Sequence, residues 1–541
     1  DHYVFAHPLY HELFYKQAGV RLSALHERAA RYFEAQAADP ETIARHWLAA
    51  GQLTQALDYC LRLGEQALRQ GAFAAAAQWL HQVEALDSGT AGKPARFYRL
   101  LGELNRFTDH QQKAQAAYRQ CLHLAVADRS EQARAWLGLG VLAQQSEALH
   151  CLQQGHTLAQ QLQDSELLRQ ACLQLGIHLA EARSYDEGQS WFNQALDYCE
   201  PESVARAEVL EVMGYEAIKA GQTQMAEQHL LQAKGIFDCH QQLQGLASVY
   251  NRLGACCFYQ QELVRARHYF SESRKYCWQT GDQLRLAQVS HNLGLLAEAL
   301  RDYPEAESLF RENLERGIRL SDVRIQGFAW NQLGSVWLKL RRLDAAREAL
   351  EQAAGLLELA TDQRGMAYLR LNLGLLALLE GDPELAQTQL EAARPSLEAL
   401  RDIMGQDLLA MRLGHVAWLR GDLEAAAGLY GDCLTTRRVL DQKQQDGLER
   451  VHHALGLVAL ARADQATAEQ QLKLAEVLFE QRREISHYAI SCHNLMRLYQ
   501  QGGNLEQALQ YKQKRDVLIG IDRHGISAEL INAAGLVPIL D

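Results

Sequence analysis

Proline is scarce in this chain, with 8 residues in 541. Proline interrupts helix interiors, so its rarity leaves long helices free to form. Long apolar runs are missing too. None reaches about 18 residues, the length that points to a membrane-spanning helix, and no signal-peptide pattern opens the sequence. Stretches in which Val, Ile and Thr alternate with polar residues are few, which argues against sheet. The 11 cysteines form no C-x-x-C pair, so zinc-ribbon and thioredoxin-like motifs are excluded. Cys60, Cys121, Cys199 and Cys433 fall on apolar faces of predicted helices, where free thiols act as small core residues. Free thiols in this number point to a reducing, cytoplasmic compartment.

Signatures of catalysis are missing as well. The Gly-Lys pair in GTAGKPARF (Gly89–Phe97) is followed by Pro94, where a phosphate-binding loop needs Ser or Thr for magnesium. His11-Glu12 and His26-Glu27 lack the second histidine one turn on that a zinc hydrolase requires. No G-x-S-x-G elbow occurs. The sequence therefore predicts no enzyme, no metal and no cofactor for this region. The net charge of −12 repels phosphate backbones, so nucleic acid is not expected as a direct partner, and neither is a membrane.

What is present is a repeat. A chain of 541 residues is too long for one compact core, but a solenoid buries each unit against its neighbours. Glycine follows Leu or Met at Gly64, Gly102, Gly176, Gly214, Gly254, Gly294, Gly334, Gly374, Gly414 and Gly456. Twelve residues after each glycine comes a small residue, such as Ala266, Ala306 or Ala346. Four further on comes a bulky one, such as Phe270, Phe310 or Leu350. Met496 holds the glycine slot of a last unit. From Gly214 to Gly414 the period is 40 residues. A glycine inside a helix costs about 1 kcal/mol relative to alanine, so it must permit a close helix–helix approach. The expected arrangement sets the glycine of a first helix against the small residue of a second. Gly381-Asp382-Pro383 and Gly421-Asp422 mark turns between the helices, and Pro304 and Pro383 suit the first turn of a second helix. Around Gly138 and Gly140 the spacing to Ala148 is short, which predicts a tighter hairpin or a kink.

These slots resemble the tetratricopeptide repeat family over residues 41–518, in a variant longer than the family's usual unit of about 34 residues. The resemblance implies an all-α, right-handed superhelical solenoid of about twelve antiparallel helix hairpins. The segment YVFAHPLYHELFYKQAGVRLSALHERAARYFEA, through Phe5, His7, Leu9, Leu13, Arg21, Leu25 and His26, resembles the stretch that follows the winged-helix module of STAND-type signalling ATPases. IARHWLAAGQLTQALDYCLRLGEQA resembles the start of their sensor arm. On this reading residues 1–40 end a winged-helix module or form a cap. The chain, which opens on Asp1, is then a fragment whose ATPase module lies upstream and contacts it. Residues 519–541 leave the repeat as a cap or tail. A stand-alone adaptor or peptide receptor needs only the repeats.

In the tetratricopeptide family first helices line the concave groove, and the slot two before the glycine faces it. That slot runs Arg252, Asn292, Gln332, Asn372, Arg412, Ala454 and Asn494. Amides offer a peptide bond both donor and acceptor, and arginine offers a fork to carboxylates. One residue earlier stand Asn251, His291, Asn331, His453 and His493, interrupted by Leu371 and Met411. These two rows are the expected binding surface for a protein or peptide ligand. Trp337 and Trp418 occupy different slots and are expected in the core.

Overall fold

The computed structural model describes residues 21–85, 93–108, 110–143, 145–182, 185–400, 402–439, 447–482 and 484–521. Among them the regular structure is α-helical throughout, with no strand. Contacts cluster into two units, which divide between Glu216 and Ala217.

The first unit holds α1 (Leu22–Ala35), α2 (Pro40–Ala50), α3 (Leu53–Arg69), α4 (Phe73–Ala85), α5 (Ala95–Phe107), α6 (Gln111–Leu124), α7 (Arg129–Leu142), α8 (Gln145–Leu162), α9 (Ser165–Ala182) and α10 (Tyr185–Asp197). The dividing position lies within α11 (Val204–Lys219). The second unit continues with α12 (Thr223–Cys239), α13 (Leu243–Tyr259), α14 (Leu263–Thr280), α15 (Gln283–Ala299), α16 (Tyr303–Leu320), α17 (Val323–Lys339), α18 (Leu343–Leu359) and α19 (Gln363–Glu380). It ends with α20 (Pro383–Ala399), α21 (Ile403–Leu419), α22 (Leu423–Val439), α23 (Leu448–Ala461), α24 (Gln465–Gln481), α25 (Ile485–Gln501) and α26 (Leu505–Ile521).

Local sequence dictates where these helices start and stop. Gly281 takes the left-handed conformation (φ 70°) that closes α14, and the next residue, Asp282, caps α15 by accepting the Arg285 N–H at 2.9 Å. The Gly381-Asp382-Pro383 turn works the same way, with Asp382 accepting from Leu385 N–H at 2.9 Å and Pro383 opening α20. A carboxylate there satisfies one of the orphan donors of the first turn. A proline in that turn gives up no intrahelical bond.

The glycine and the small residue do approach each other, as at Gly176 and Gly188, but the glycine's nearest neighbour is a bulkier one. A Cβ at Gly254 would lie 2.5 Å from the Phe270 ring, and at Gly294 it would lie 2.4 Å from Phe310. The glycine thus receives the bulky side chain itself, and the small residue (Ala266, Ala306) is buried alongside. The reason is geometric. A ring sixteen residues on lies directly across the hairpin and needs a floor without a side chain. The irregular unit obeys the same rule with a shorter arm. Gly140 receives Leu152 rather than a residue sixteen further on, and α7 and α8 are joined through only residues 143 and 144. This is the tight hairpin that the spacing predicts. Gly138 receives Tyr118 from the preceding hairpin.

Neighbouring hairpins touch through their first helices. In the second unit α13 packs on α15, α15 on α17, α17 on α19, α19 on α21, and α23 on α25, and among the described residues successive second helices make no comparable contact. Elements that touch lie on the inside of a bend, so the first helices form the inner face of this unit.

Candidate binding face on the first helices

The two polar rows turn out to bond to each other. Asn292 donates through Nδ2 to Asn251 Oδ1 at 2.9 Å, and Asn372 donates to Asn331 Oδ1 at 3.0 Å. Asn494 donates to His453 Nε2 at 2.9 Å. Each rung joins a first helix to the one before it. The slot two before the glycine supplies the donor, and the slot three before it on the preceding first helix supplies the acceptor. A donor amide spends one N–H in this way and keeps a second N–H and its carbonyl oxygen.

The three histidines of the earlier row turn toward packed rings or a second helix. His291 turns into its own hairpin against Phe310 and also faces Phe328. His453 is fully buried beside Phe479. His493 faces the second helix, where Arg515 donates to its Nδ1 at 3.2 Å. Burial holds all three rings well below the usual histidine range, at about 4, 3 and 4 respectively, and for His493 the neighbouring Arg515 and Arg497 charges add to it. They are neutral at physiological pH. His453 Nε2 accepts from Asn494, so its proton sits on Nδ1.

Exposure along the later row changes after the third hairpin. Arg252, Asn292 and Gln332, on α13, α15 and α17, are half-buried and reachable. Asn372, Arg412 and Asn494, on α19, α21 and α25, are buried, as is Asn331. The expected surface is therefore accessible only over its first three hairpins.

Ion pairs also tie these first helices to one another and to other elements. Arg437 clasps Asp407 with contacts of 2.6, 2.9 and 3.1 Å, and Arg482 meets Glu449 at 3.2 Å. Arg301, in the turn after α15, reaches Glu484 before α25 at 2.8 Å. Lys339 pairs at 2.8 Å with Glu298, which also accepts from the Ser335 hydroxyl at 3.1 Å. Sequence reasoning missed these partners, because they come from other hairpins or from second helices.

Thiol chemistry finds no support. Burial pushes Cys256, Cys433 and Cys492 up to about 12, so they are protonated and unreactive at neutral pH. Among the described residues no cluster of three or more His, Cys, Asp or Glu is placed to hold a metal, and no helix is long and apolar enough to cross a membrane. Trp337 is buried with the Arg311 guanidinium over its ring at 5.5 Å, and Trp418 packs beside the Met411–Tyr430 core. Both serve packing. Most of the expected C-terminal cap or tail, residues 522–541, and residues Phe5 to Leu13 lie outside the described residues.

Residues 245–316, from α13 into α16, match the family model described as tetratricopeptide repeat. No curated protein matches the chain. Solved structures share the helical architecture at low identity. A Rap protein complexed with competence and sporulation factor aligns at 14% identity and TM-score 0.49, covering 72% of this chain and 99% of that one. Aspartyl phosphate phosphatase F from Bacillus subtilis gives 12% and 0.44, covering 72% and 95%. The apo quorum sensor NprR from B. thuringiensis gives 12% and 0.45, covering 62% and 97%. Likeness at this level carries no argument about what this chain binds. The chain is an all-α array of stacked helix hairpins with a tetratricopeptide repeat segment at 245–316.

Proposed function

We propose that this chain is a non-catalytic scaffold that captures an extended peptide or protein segment on the inner face of its second unit. The observation that carries this reading is the run of half-buried Arg252, Asn292 and Gln332 on three first helices in succession. Their spacing follows the hairpin stack, and Asn292 keeps free amide capacity beyond its rung. An extended backbone laid across the helices would meet one polar side chain per hairpin.

The test is selection of a random peptide library on the whole chain, followed by calorimetry of the selected peptides. The triple substitution R252A/N292A/Q332A is expected to weaken binding at least about tenfold, the loss of about 1.4 kcal/mol, with helicity unchanged. Equal affinity for the triple variant contradicts the reading. Asn372 and Arg412 are poorer probes, because their burial confounds binding with folding.

We further propose that the scaffold is the ligand-sensing arm of a STAND-type regulatory ATPase and contacts that module. The support is the resemblance of Tyr3 to Ala67, of which residues 21–67 form α1, α2 and most of α3. A parent reading frame that encodes a nucleotide-binding module directly upstream is the expected finding; a frame that starts at this point excludes it. The alternative, a stand-alone adaptor, is favoured by one observation: the family match covers repeat residues only.

A further inference from the structure

Four first helices of the second unit begin alike. Asp282, Asp322, Asp362 and Asp402 each turn a carboxylate back onto backbone N–H groups of their own helix. At α25 the equivalent residue is Glu484, and its side chain makes no cap bond. Arg301 donates to it at 2.8 Å instead, and His487 Nδ1 lies 2.6 Å away. Burial opposes the charge on Glu484, but the His487 bond and the Arg301 and Arg450 charges outweigh it and hold the carboxyl at about 2.

Arg301 sits in the turn between α15 and α16, and Glu484 directly before α25, so four hairpins, from α17–α18 to α23–α24, stand between them. The other polar contacts of this unit described above stay within a hairpin or join it to the next. Among the described residues neither α15 nor α16 packs against α25 or α26 as neighbouring helices do. The pair therefore bridges two parts of the stack that no helix packing joins. A chord between distant points of an arc runs on its inner side, which here is the face of the first helices. Tyr259 and Tyr368, on α13 and α19, repeat the pattern: burial and the Asp402 carboxylate raise the Tyr368 phenol, and Tyr259 adds to the rise.

Each partner is provided for when the pair parts. The Arg301 side chain is 44% exposed and passes to water. Glu484, only 14% exposed, keeps the His487 N–H and the Arg450 charge. Neither charge is stranded, so the closed arrangement is favoured by no more than an exposed ion pair supplies, a factor of up to about five. Closed and open arcs are then both populated.

Resting on the inner-face reading above, we propose that Arg301 and Glu484 form a clasp that holds the second unit closed over its inner face and opens to admit the peptide segment. The helix it holds, α15, carries Asn292, the middle of the three reachable polar contacts. Only open molecules bind, so apparent affinity falls with the fraction that is open. Releasing the clasp tightens binding without any new contact.

The experiment measures the span of the clasp by double electron–electron resonance on the full chain. Spin labels are carried by keto amino acids introduced at the exposed Ser308 and Gln481, which leaves the native thiols unlabelled. R301G and E484D remove the pair with substitutes that suit the backbone. Gly381 and Gly421 hold the same left-handed turn position as Arg301, whose φ is 59°, and Asp402 holds the same cap position as Glu484. Both variants are expected to show a longer mean distance than the wild type. The wild type alone is expected to lengthen in about 1 M salt, where the screening length falls to about 3 Å. Both variants should bind the library-selected peptides up to about fivefold more tightly. E484Q replaces E484D if the latter loses helicity. An unchanged distance in either variant, with peptides still held through Arg252, Asn292 and Gln332, defeats this inference alone. Longer distances with equal or weaker binding overturn the clasp's control of the site. If no peptide binds any form, the inner-face reading fails and the clasp's role falls with it.

Discussion

The two units join their first helices by different chemistry at the same slot. In the first unit the residue three before Gly102 is Arg99, with a side chain only 3% exposed. It donates to Glu131 on α7 at 2.6 Å, to Glu103 on its own helix at 2.6 Å and to Glu65 on α3 at 3.2 Å. Arg96 adds a second guanidinium on Glu65. In the second unit that slot holds Asn251, Asn331 and His453, each accepting from an amide of the next first helix. At this slot one unit is pinned by a buried ionic hub and the other by neutral rungs, although elsewhere the second unit also pairs Lys339 with Glu298 between first helices. A hub spends its charge internally, since every carboxylate around it is matched. Neutral rungs hold helices together while leaving amide hydrogen-bonding capacity on the inner face. That contrast is why we propose the second unit as the binding surface.

Breaking the hub should have the largest effect. R99A strands buried carboxylates from two neighbouring helices and is expected to cost the first unit about 3–5 kcal/mol, read as an earlier denaturation transition. Hydrogen exchange should localise the loss to α3, α5 and α7. An equal loss in α13 to α19 contradicts the division of roles.

Next comes the glycine floor. G294A places a methyl group 2.4 Å from the Phe310 ring and should cost about 2–3 kcal/mol through overpacking. G235A lies mid-helix in α12 with nothing within 4 Å and should stabilise by up to about 1 kcal/mol. Thermal melts of the two variants check the sign as well as the size.

A neutral rung should matter less than the hub. N372A leaves the buried Asn331 oxygen without its donor and is expected to cost about 1–2 kcal/mol, by urea denaturation. A loss as large as that of R99A would erase the comparison.

The smallest effect is on pH. His291, His453 and His493 have folded pKa values of about 4, 3 and 4, below the ordinary value of 6.5. Their unfolded forms bind protons first, so their contribution is fully present above about 6.5 and falls away as pH drops toward 4. The hub carboxylate Glu65 is held at about 2, since Arg99 and Arg96 outweigh its burial, and loses its contribution only below about 4.5. Between pH 6.5 and 5 the second unit should therefore weaken more steeply. H453Q should flatten that slope in a pH series of denaturation curves; an unchanged slope argues against the assignment.

Much of the fold was legible because it is local. The Gly281-Asp282 and Gly381-Asp382-Pro383 turns follow from φ and capping preferences. The spacing from Gly294 to Phe310 fixes the hairpin, but periodicity locates a close approach without saying which side chain comes nearest to the glycine. The short span from Gly140 to Ala148 announced the tight hairpin. The binding rows were legible as polar slots, but not their fate. Whether Asn372 faces a ligand or another amide depends on a neighbour 41 residues away, and His493 turns toward Arg515 of its own hairpin. Glu484 stands in no motif that singles it out in the sequence. Its bond to Arg301 is a product of how far the hairpin stack bends, which no single repeat encodes.

The central claim, that the inner face of the second unit is the binding surface, is tested most directly by hydrogen exchange of the whole chain with and without a saturating library-selected peptide. Protection is expected on α13, α15 and α17 around Arg252, Asn292 and Gln332, with α14, α16, α18 and the first unit unchanged. Protection confined to the second helices or to the first unit would contradict it.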